Sequence, residues 1–379
     1  MNVIRRWSFA ALFILAAAAS TAHSAPVSAG QNQGGFQPDG PYVVATKEGW
    51  EALSVVVTED RKLGPRTVPV KVGDVLTIPG VGDLPAFKVQ IRKPATVAPD
   101  DVQTKPDIPI FVVADSHGQF QILVQLLRAN RVLDEQLRWS FKKGHLVILG
   151  DTVDRGPNQT EILWLLYGLE AQARKAGGGV HLLLGNHETM MLRGDVRYLN
   201  PKYDQSSMAL QARNYPSLWS NETLLGQWLR TKPAVLRLNR ALYLHGGISE
   251  QVVERNLTLE MMNAAVRNWL IHDTGDSTTE FVTGREGPLW YRGYFPNIVG
   301  MTAATQAEVE AACAHFDVDR ISVGHTIVDA VTPLYKSRAI AVNVNYEYLS
   351  DGKPVAQGML IDKGTWYRAN IDGKRDVLF

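Results

Sequence analysis

The chain has 379 residues, 45% of them hydrophobic and 20% charged, with a formal net charge of +1. This composition is that of a globular protein, and the length allows two or three domain-sized units or one large α/β domain with an extension. Near-neutral charge without a basic tail or stripe excludes nucleic-acid binding by bulk electrostatics, and a single cysteine, Cys313, excludes an intrachain disulfide.

Residues 1–24 read as a signal peptide. Arg5 and Arg6 give a positive start, an apolar run over 9–19 is too short to span a bilayer comfortably, and small residues follow. Ala22-His23-Ser24 and Val27-Ser28-Ala29 both suit cleavage. The expectation is an exported protein, in a bacterial periplasm or secreted, with no membrane association once the signal is removed. Residues 25–40, rich in Gly, Gln and Pro, read as a flexible linker. Residues 41–105 form a β-rich extension of unassigned role, with apolar runs at 53–57, 68–72 and 75–78 broken by Gly and Pro. The stretch 94–107 reads as its connector. Cys313, among Ala311, Ala312 and Ala314, reads as core packing.

The remaining 106–379 form the main domain. A short apolar strand at 110–114 runs into Asp115-Ser116-His117-Gly118, and Phe120, Leu123, Leu126 and Leu127 then recur at helical spacing. A second strand, 146–149, ends in Gly150-Asp151-Thr152-Val153-Asp154-Arg155-Gly156. Thr160 is placed to cap a helix bearing Ile162, Leu165, Leu166 and Leu169, which Gly177 to Gly179 stop. A third strand, 180–184, ends in Gly185-Asn186-His187-Glu188. This alternation argues a parallel sheet built from right-handed crossovers. Residues 189–232 read as an insertion over the site, with a helical piece at 224–229. A strand at 241–244 ends in His245-Gly246-Gly247, residues 250–300 are mixed and contain Arg292 between aromatics and glycine, and a strand at 321–323 ends in Gly324-His325-Thr326. The tail holds β runs at 339–344, 355–361 and 365–370, expected to form a second sheet facing the first.

Asp115, His117, Asp151, Asn186, His245 and His325 are all oxygen or nitrogen donors, and each follows an apolar strand. Tight loops at strand ends can bring such residues to one point from distant positions. Without a thiolate, mixed imidazole and carboxylate suits Mn, Fe or Zn. Six donors are too many for one open catalytic ion and suit two ions that share a carboxylate. Two divalent ions less two carboxylates and one hydroxide leave net positive charge, which attracts a phosphate dianion. Asp154 could hold one ring nitrogen of His187, leaving the other to protonate a leaving group. Arg155 and Arg292 could grip a phosphate in bidentate fashion.

The series DSHG (115–118), GDTVDRG (150–156), GNHE (185–188), HGG (245–247) and GHT (324–326) resembles the calcineurin-like metallophosphoesterases, and its full GDxVDRG and GNHE forms resemble their phosphoprotein phosphatase branch. The stretches 191–203 and 287–295 are most similar to the Shewanella-like protein phosphatases. The resemblance covers about 108–345. It implies an α/β (α+β) fold, a two-sheet β-sandwich flanked by helices. It implies that Asp115 and His117 bind one metal ion, that Asp151 bridges, and that Asn186, His245 and His325 bind the second. The ions would be divalent or of mixed valence, with Mn first and Fe or Zn also suited. His187 with Asp154 would act as acid, and Arg155, Arg292 and Asn186 would hold phosphate. Ala114 stands where the family usually has glycine and Leu184 where it usually has arginine, and the SAPNY segment of the eukaryotic serine/threonine enzymes is missing. The expected activity is hydrolysis of phosphoprotein or phosphopeptide esters of serine and threonine, and of tyrosine as well, by attack of metal-bound hydroxide. Nucleotide polyphosphates or small phosphate esters are the alternative substrates for the same site, and a binding module built on the extension is a third reading.

Overall fold

The computed structural model describes residues 37–93 and 96–379. The signal read at 1–24 and the linker up to residue 36 lie outside the described residues. Two six-stranded sheets form the centre. In the first, Ile110–Val113, His145–Ile148 and Gly179–Leu182 lie side by side and parallel. Each is short, and the first two are buried on both faces, as expected of a parallel sheet covered by helices. The second sheet runs Thr332–Leu334, Ala339–Ala341, Arg320–Val323, Ala241–Leu244, Val235–Leu238 and Asp101–Val102.

The sheets pack face to face. Ile110, Val112 and Val147 of the first, with Leu183 just past its third parallel strand, share a core with Leu236, Leu238, Tyr243 and Ile340 of the second. The alternate residues point outward beneath helices. Phe111, Val113, Leu146 and Ile148 join Leu123 and Leu127 of the Phe120–Ala129 helix and Leu165 and Leu166 of the Gln159–Ala176 helix. Period-two burial of strands against period-3.6 helices makes the helix-flanked sandwich.

Several local expectations are corrected or sharpened. The tail does not supply the second sheet by itself. Gln357–Asp362 and Thr365–Asn370 form a hairpin that extends the first sheet, Met359 pairing opposite Val112, while Ala339–Ala341 extends the second. The Ile110–Val113 strand has one edge left open by its parallel neighbour, and the hairpin fills it. Thr160 is not a cap. The helix begins at Gln159, whose backbone N–H donates to the Tyr203 hydroxyl, and Thr160 is buried inside the first turn. Residues 39 and 40 are not linker but open the Asp39–Ala45 strand. Within the connector, Asp101–Val102 pairs with Val235–Leu238. The mixed stretch after 250 holds the Leu259–His272 helix, capped by Thr258.

Residues ahead of the sandwich form a three-stranded antiparallel sheet, Asp39–Ala45, Trp50–Val57 and Leu63–Val70, and a hairpin, Val75–Ile78 with Phe87–Gln90. Their buried side chains, among them Tyr42, Val43, Ile78, Phe87 and Val89, are continuous with the helix-side core. Phe87 lies 6.1 Å from Phe120, ring to ring. Among the described residues no helix is long and apolar enough to cross a membrane.

Candidate active site

The strand ends converge where the two sheets meet. Asp115 follows Ile110–Val113, Asp151 follows His145–Ile148, and Asn186 opens the Asn186–Arg193 helix after Gly179–Leu182. His245 and His325 follow Ala241–Leu244 and Arg320–Val323 in the other sheet. The loops turn sharply: Asp115, His117, Asp151, Asp154, Arg155 and His325 are non-glycine residues with φ between +42° and +67°. Such conformations cost on the order of 1–3 kcal/mol each and persist only where the surroundings enforce them. Backbone bonds do so here. Asp115 N donates to Gly150 O, His117 N to Asp151 O, Gly118 N to Thr152 O and Gly156 N to His117 O. The two loops approach so closely that a Cβ on Gly156 would lie 2.3 Å from the His117 carbonyl oxygen.

Two imidazoles are oriented in the same way. His117 Nδ1 lies 2.9 Å from Val153 O and His245 Nδ1 lies 2.7 Å from Leu149 O. A carbonyl oxygen can only accept, so Nδ1 carries the proton and Nε2 presents a lone pair inward. His245 Nε2 then faces Asn186 Oδ1 at 2.9 Å, His325 Nδ1 at 2.9 Å and Asp151 Oδ2 at 3.1 Å. His117 Nε2 faces Asp151 Oδ2 at 3.7 Å. His325 Nε2 is buried without a hydrogen-bond partner. Lone pairs turned on one another in a buried space fit a cation between them, and nitrogen and carboxylate donors fit a transition-metal dication. The donors fall into two groups, His117–Asp151–His187 and Asp151–His245–His325, each with its ligand atoms within 4.8 Å of one another. Asp151 belongs to both.

Electrostatics follow the crowding. Burial, with the Asp151 charge adding to it and His245 opposing, pushes Asp115 up to about 7. Burial acts on Asp151 in the same sense, but His245 and His187 overcome it and hold that carboxyl well below its ordinary range. Burial likewise brings His117 down to about 3. His245, against the effect of burial, is raised to about 9 by Asp151 and Asp115.

The other expected residues are nearby. His187 Nδ1 lies 2.7 Å from Asp154 Oδ2, and both are buried. Its Nε2 faces Asp151 Oδ2 at 3.8 Å. Arg292 donates from Nη1 to His325 O at 3.0 Å, and burial lowers its pKa. Arg155 is exposed, its guanidinium 5.9 Å from the Tyr198 ring. Asp115 stands outside both donor groups: its carboxylate accepts His325 N and Asn343 Nδ2.

The family description "Calcineurin-like phosphoesterase" matches residues 108–329, which carry all six proposed ligands. The chain belongs to that family. It is a hydrolytic phosphatase. A solved structure, the cold-active protein-tyrosine phosphatase of a psychrophilic Shewanella species, is 33% identical and covers 90% of this chain and 100% of its own, with a TM-score of 0.78. Shewanella-like protein phosphatase 2 of Arabidopsis thaliana is 23% identical over 317 residues, 69% of this chain and 78% of its own. Shewanella-like protein phosphatase 1 of Plasmodium berghei is 26% identical over 222 residues, 57% of this chain and 60% of its own.

Two residues that shape this phosphoesterase centre had no role in the sequence reading. Glu188, fully buried, accepts from Asp151 N, Thr152 N, Thr152 Oγ1 and Gly185 N at 2.7–2.8 Å. It ties the second loop to the third. Asn343 donates to Asp115 Oδ2 at 2.7 Å and aims that carboxylate. The available signals were the acid closing GNHE and an asparagine interrupting an otherwise apolar run, 339–344.

Proposed function

We propose that this phosphatase is a two-metal phosphomonoesterase acting on phosphorylated proteins or peptides, with tyrosine phosphate among its substrates beside serine and threonine phosphate. The observation that carries the two-metal reading is the sharing of Asp151 between two donor groups. Asp115, His117 and Asp151 would hold one divalent ion, and Asp151, Asn186, His245 and His325 the other. Manganese, iron and zinc all suit the donors. Bound there, the pair supplies water activated as a nucleophile at neutral pH and positive charge against the phosphoryl oxygens.

The chain's own groups do the rest. Asp154 holds Nδ1–H of His187, which directs Nε2 inward with its proton for the leaving oxygen. Arg292, anchored on His325 O, and Arg155, on the exposed rim, hold the phosphoryl oxygens. Asn186 presents its amide from the first turn of its helix. Tyr198 supports an aryl leaving group: it is 46% exposed and its ring centroid lies 5.0 Å from that of His187, so a leaving phenol meets an aromatic face there. Beside Arg292, a cavity of about 540 Å³ with Trp290, Ile298 and Met301 in its wall can take a peptide side chain. The likeness to a chain described as a protein-tyrosine phosphatase supports the same substrate class.

Elemental analysis of the purified protein beside a substrate panel tests the reading. Two metal equivalents per chain and turnover of phosphotyrosine and phosphoserine peptides are expected. Faster hydrolysis of a dinucleoside polyphosphate or of bis-p-nitrophenyl phosphate than of any phosphopeptide would replace the substrate class. One solvent oxygen should enter phosphate in a single turnover, and a trapped phosphohistidine or phosphoserine would overturn direct attack. Residues 1–24 support export to a periplasm or beyond, and retention of a C-terminally tagged chain in the cytosol would overturn that.

A further inference from the structure

The 154–157 loop carries Asp154 and Arg155, and both hold left-handed conformations (φ 67° and 62°) that an L-residue does not adopt without support. Besides the Gly156 N–H to His117 O bond, this loop is held by residues outside the metal-ligand set. Gln159, fully buried, accepts the Asp154 N–H through Oε1 at 2.6 Å and donates through Nε2 to the Tyr215 hydroxyl at 2.6 Å. Its own N–H donates to the Tyr203 hydroxyl at 2.8 Å, which in turn donates to Pro157 O at 2.8 Å. Pro157 O also accepts from Lys202 Nζ at 2.8 Å.

That lysine is the link to the β-rich extension. Lys202 is 8% exposed, and its ammonium lies 3.6 Å from Asp39 Oδ1 and 3.5 Å from Glu161 Oε1. Asp39, in the first strand of the extension, also accepts from the Tyr42 hydroxyl at 2.6 Å. The Tyr42 ring meets Tyr215 edge-on at 6.4 Å, and Pro41 O accepts from the Trp164 indole at 2.8 Å. A buried lysine needs a fixed counter-charge. Here one of its two counter-charges comes from a strand more than a hundred residues away in the chain, and its donor holds the last carbonyl of the loop that carries Asp154.

We propose that the extension is part of the catalytic unit, with Asp39, Lys202 and Gln159 acting as positioning residues that hold the Asp154 loop and thereby aim His187. This inference rests on the reading of Asp154 and His187 as the proton-donating pair. It gives the extension a task that needs no partner and no ligand of its own. None of the three residues touches the phosphate or the metal ligands directly, so their removal should leave metal content intact.

The test uses the full-length, metal-loaded enzyme and three variants, Asp39→Asn, Gln159→Ala and Gln159→Glu. For Asp39→Asn and Gln159→Ala, hydrolysis of alkyl phosphates, with poor leaving groups, should slow roughly ten- to a hundredfold in kcat. p-Nitrophenyl phosphate, whose leaving group needs little protonation, should change less than about threefold. Metal equivalents should stay as in the parent, and any rise in KM, through Arg155 in the same loop, should be equal for the two ester types. Gln159→Glu keeps the acceptor for Asp154 N–H and should recover most of the alkyl phosphate rate. Amide hydrogen exchange over residues 153–158 should quicken in the first two variants, with or without metal, and not in the third. Equal slowing of good and poor leaving groups, or unchanged exchange in that loop, would overturn the proposal. The pair reading is checked separately by His187→Asn. If that variant slows both ester types equally, the acid assignment falls. If it slows alkyl esters selectively while Asp39→Asn and Gln159→Ala do not, only the positioning role falls.

Discussion

At single positions the centre depends on groups that never meet substrate. Glu188 collects four donors, three of them backbone N–H groups, and fixes Asp151 from behind. Glu188→Gln turns one acceptor oxygen into a donor facing another donor, which should cost about 2–3 kcal/mol. Urea unfolding would show this, and metal equivalents should fall alongside. Gly185 is as constrained: a Cβ there would lie 2.1 Å from Asp151 Oδ1 and 2.6 Å from Asp151 N. Gly185→Ala is therefore expected to displace the shared carboxylate and abolish metal binding at both groups, whereas the unfolding midpoint should move less. Asp151→Asn, which keeps the shape and removes the charge, should lower metal content and activity together. The donors themselves were legible because each ends an apolar run. Glu188 and Asn343 were not given roles because their partners are backbone groups and a carboxylate far off in sequence, and no spacing rule encodes such contacts.

At the level of elements, the three parallel strands could be read directly: each lies in or beside an apolar run, and the first two are buried on both faces. The tail could not. A strand with one buried and one covered face can extend either sheet, and the choice is made by which edge lies open once the parallel strands have paired. Histidines on two of those strands bear on acid stability. His145 Nδ1 and His181 Nε2 are 2.8 Å apart, with ring planes only 8° from parallel, so a single N–H bridges two neutral rings. Burial keeps both below the ordinary imidazole range, His181 down to about 3. Below about pH 6.5 the unfolded chain binds more protons than the folded one, so the stabilisation is present above that pH and is lost as pH falls toward about 3. The expected loss between pH 6.5 and 5 is about 1–2 kcal/mol. Replacing His181 by Gln should flatten that part of the profile, measured as urea midpoints of the metal-free protein. A slope unchanged by the substitution would assign the acid sensitivity elsewhere.

Over the whole molecule, the extension and the sandwich share one core: Tyr42, Val43, Ile78, Phe87 and Val89 lie in the same cluster as Leu123, Leu165 and Trp228. Cutting the chain at 105 would bare that surface, and the remaining 106–379 piece is expected to aggregate or unfold rather than survive as a phosphatase. The intact protein should melt in a single calorimetric transition, and two resolved transitions would show the extension to be independent. The position of the centre has one more implication. His245 and His325 hang from one sheet, while Asp115, Asp151 and Asn186 hang from the other. The ions would therefore rivet two plates whose spacing is set by oily side chains such as Val112, Leu236 and Ile340. Any thinning or slackening of that filling, by heat or by trimming one of these residues, would pull the rivets before the plates come apart. Loss of turnover should then precede melting.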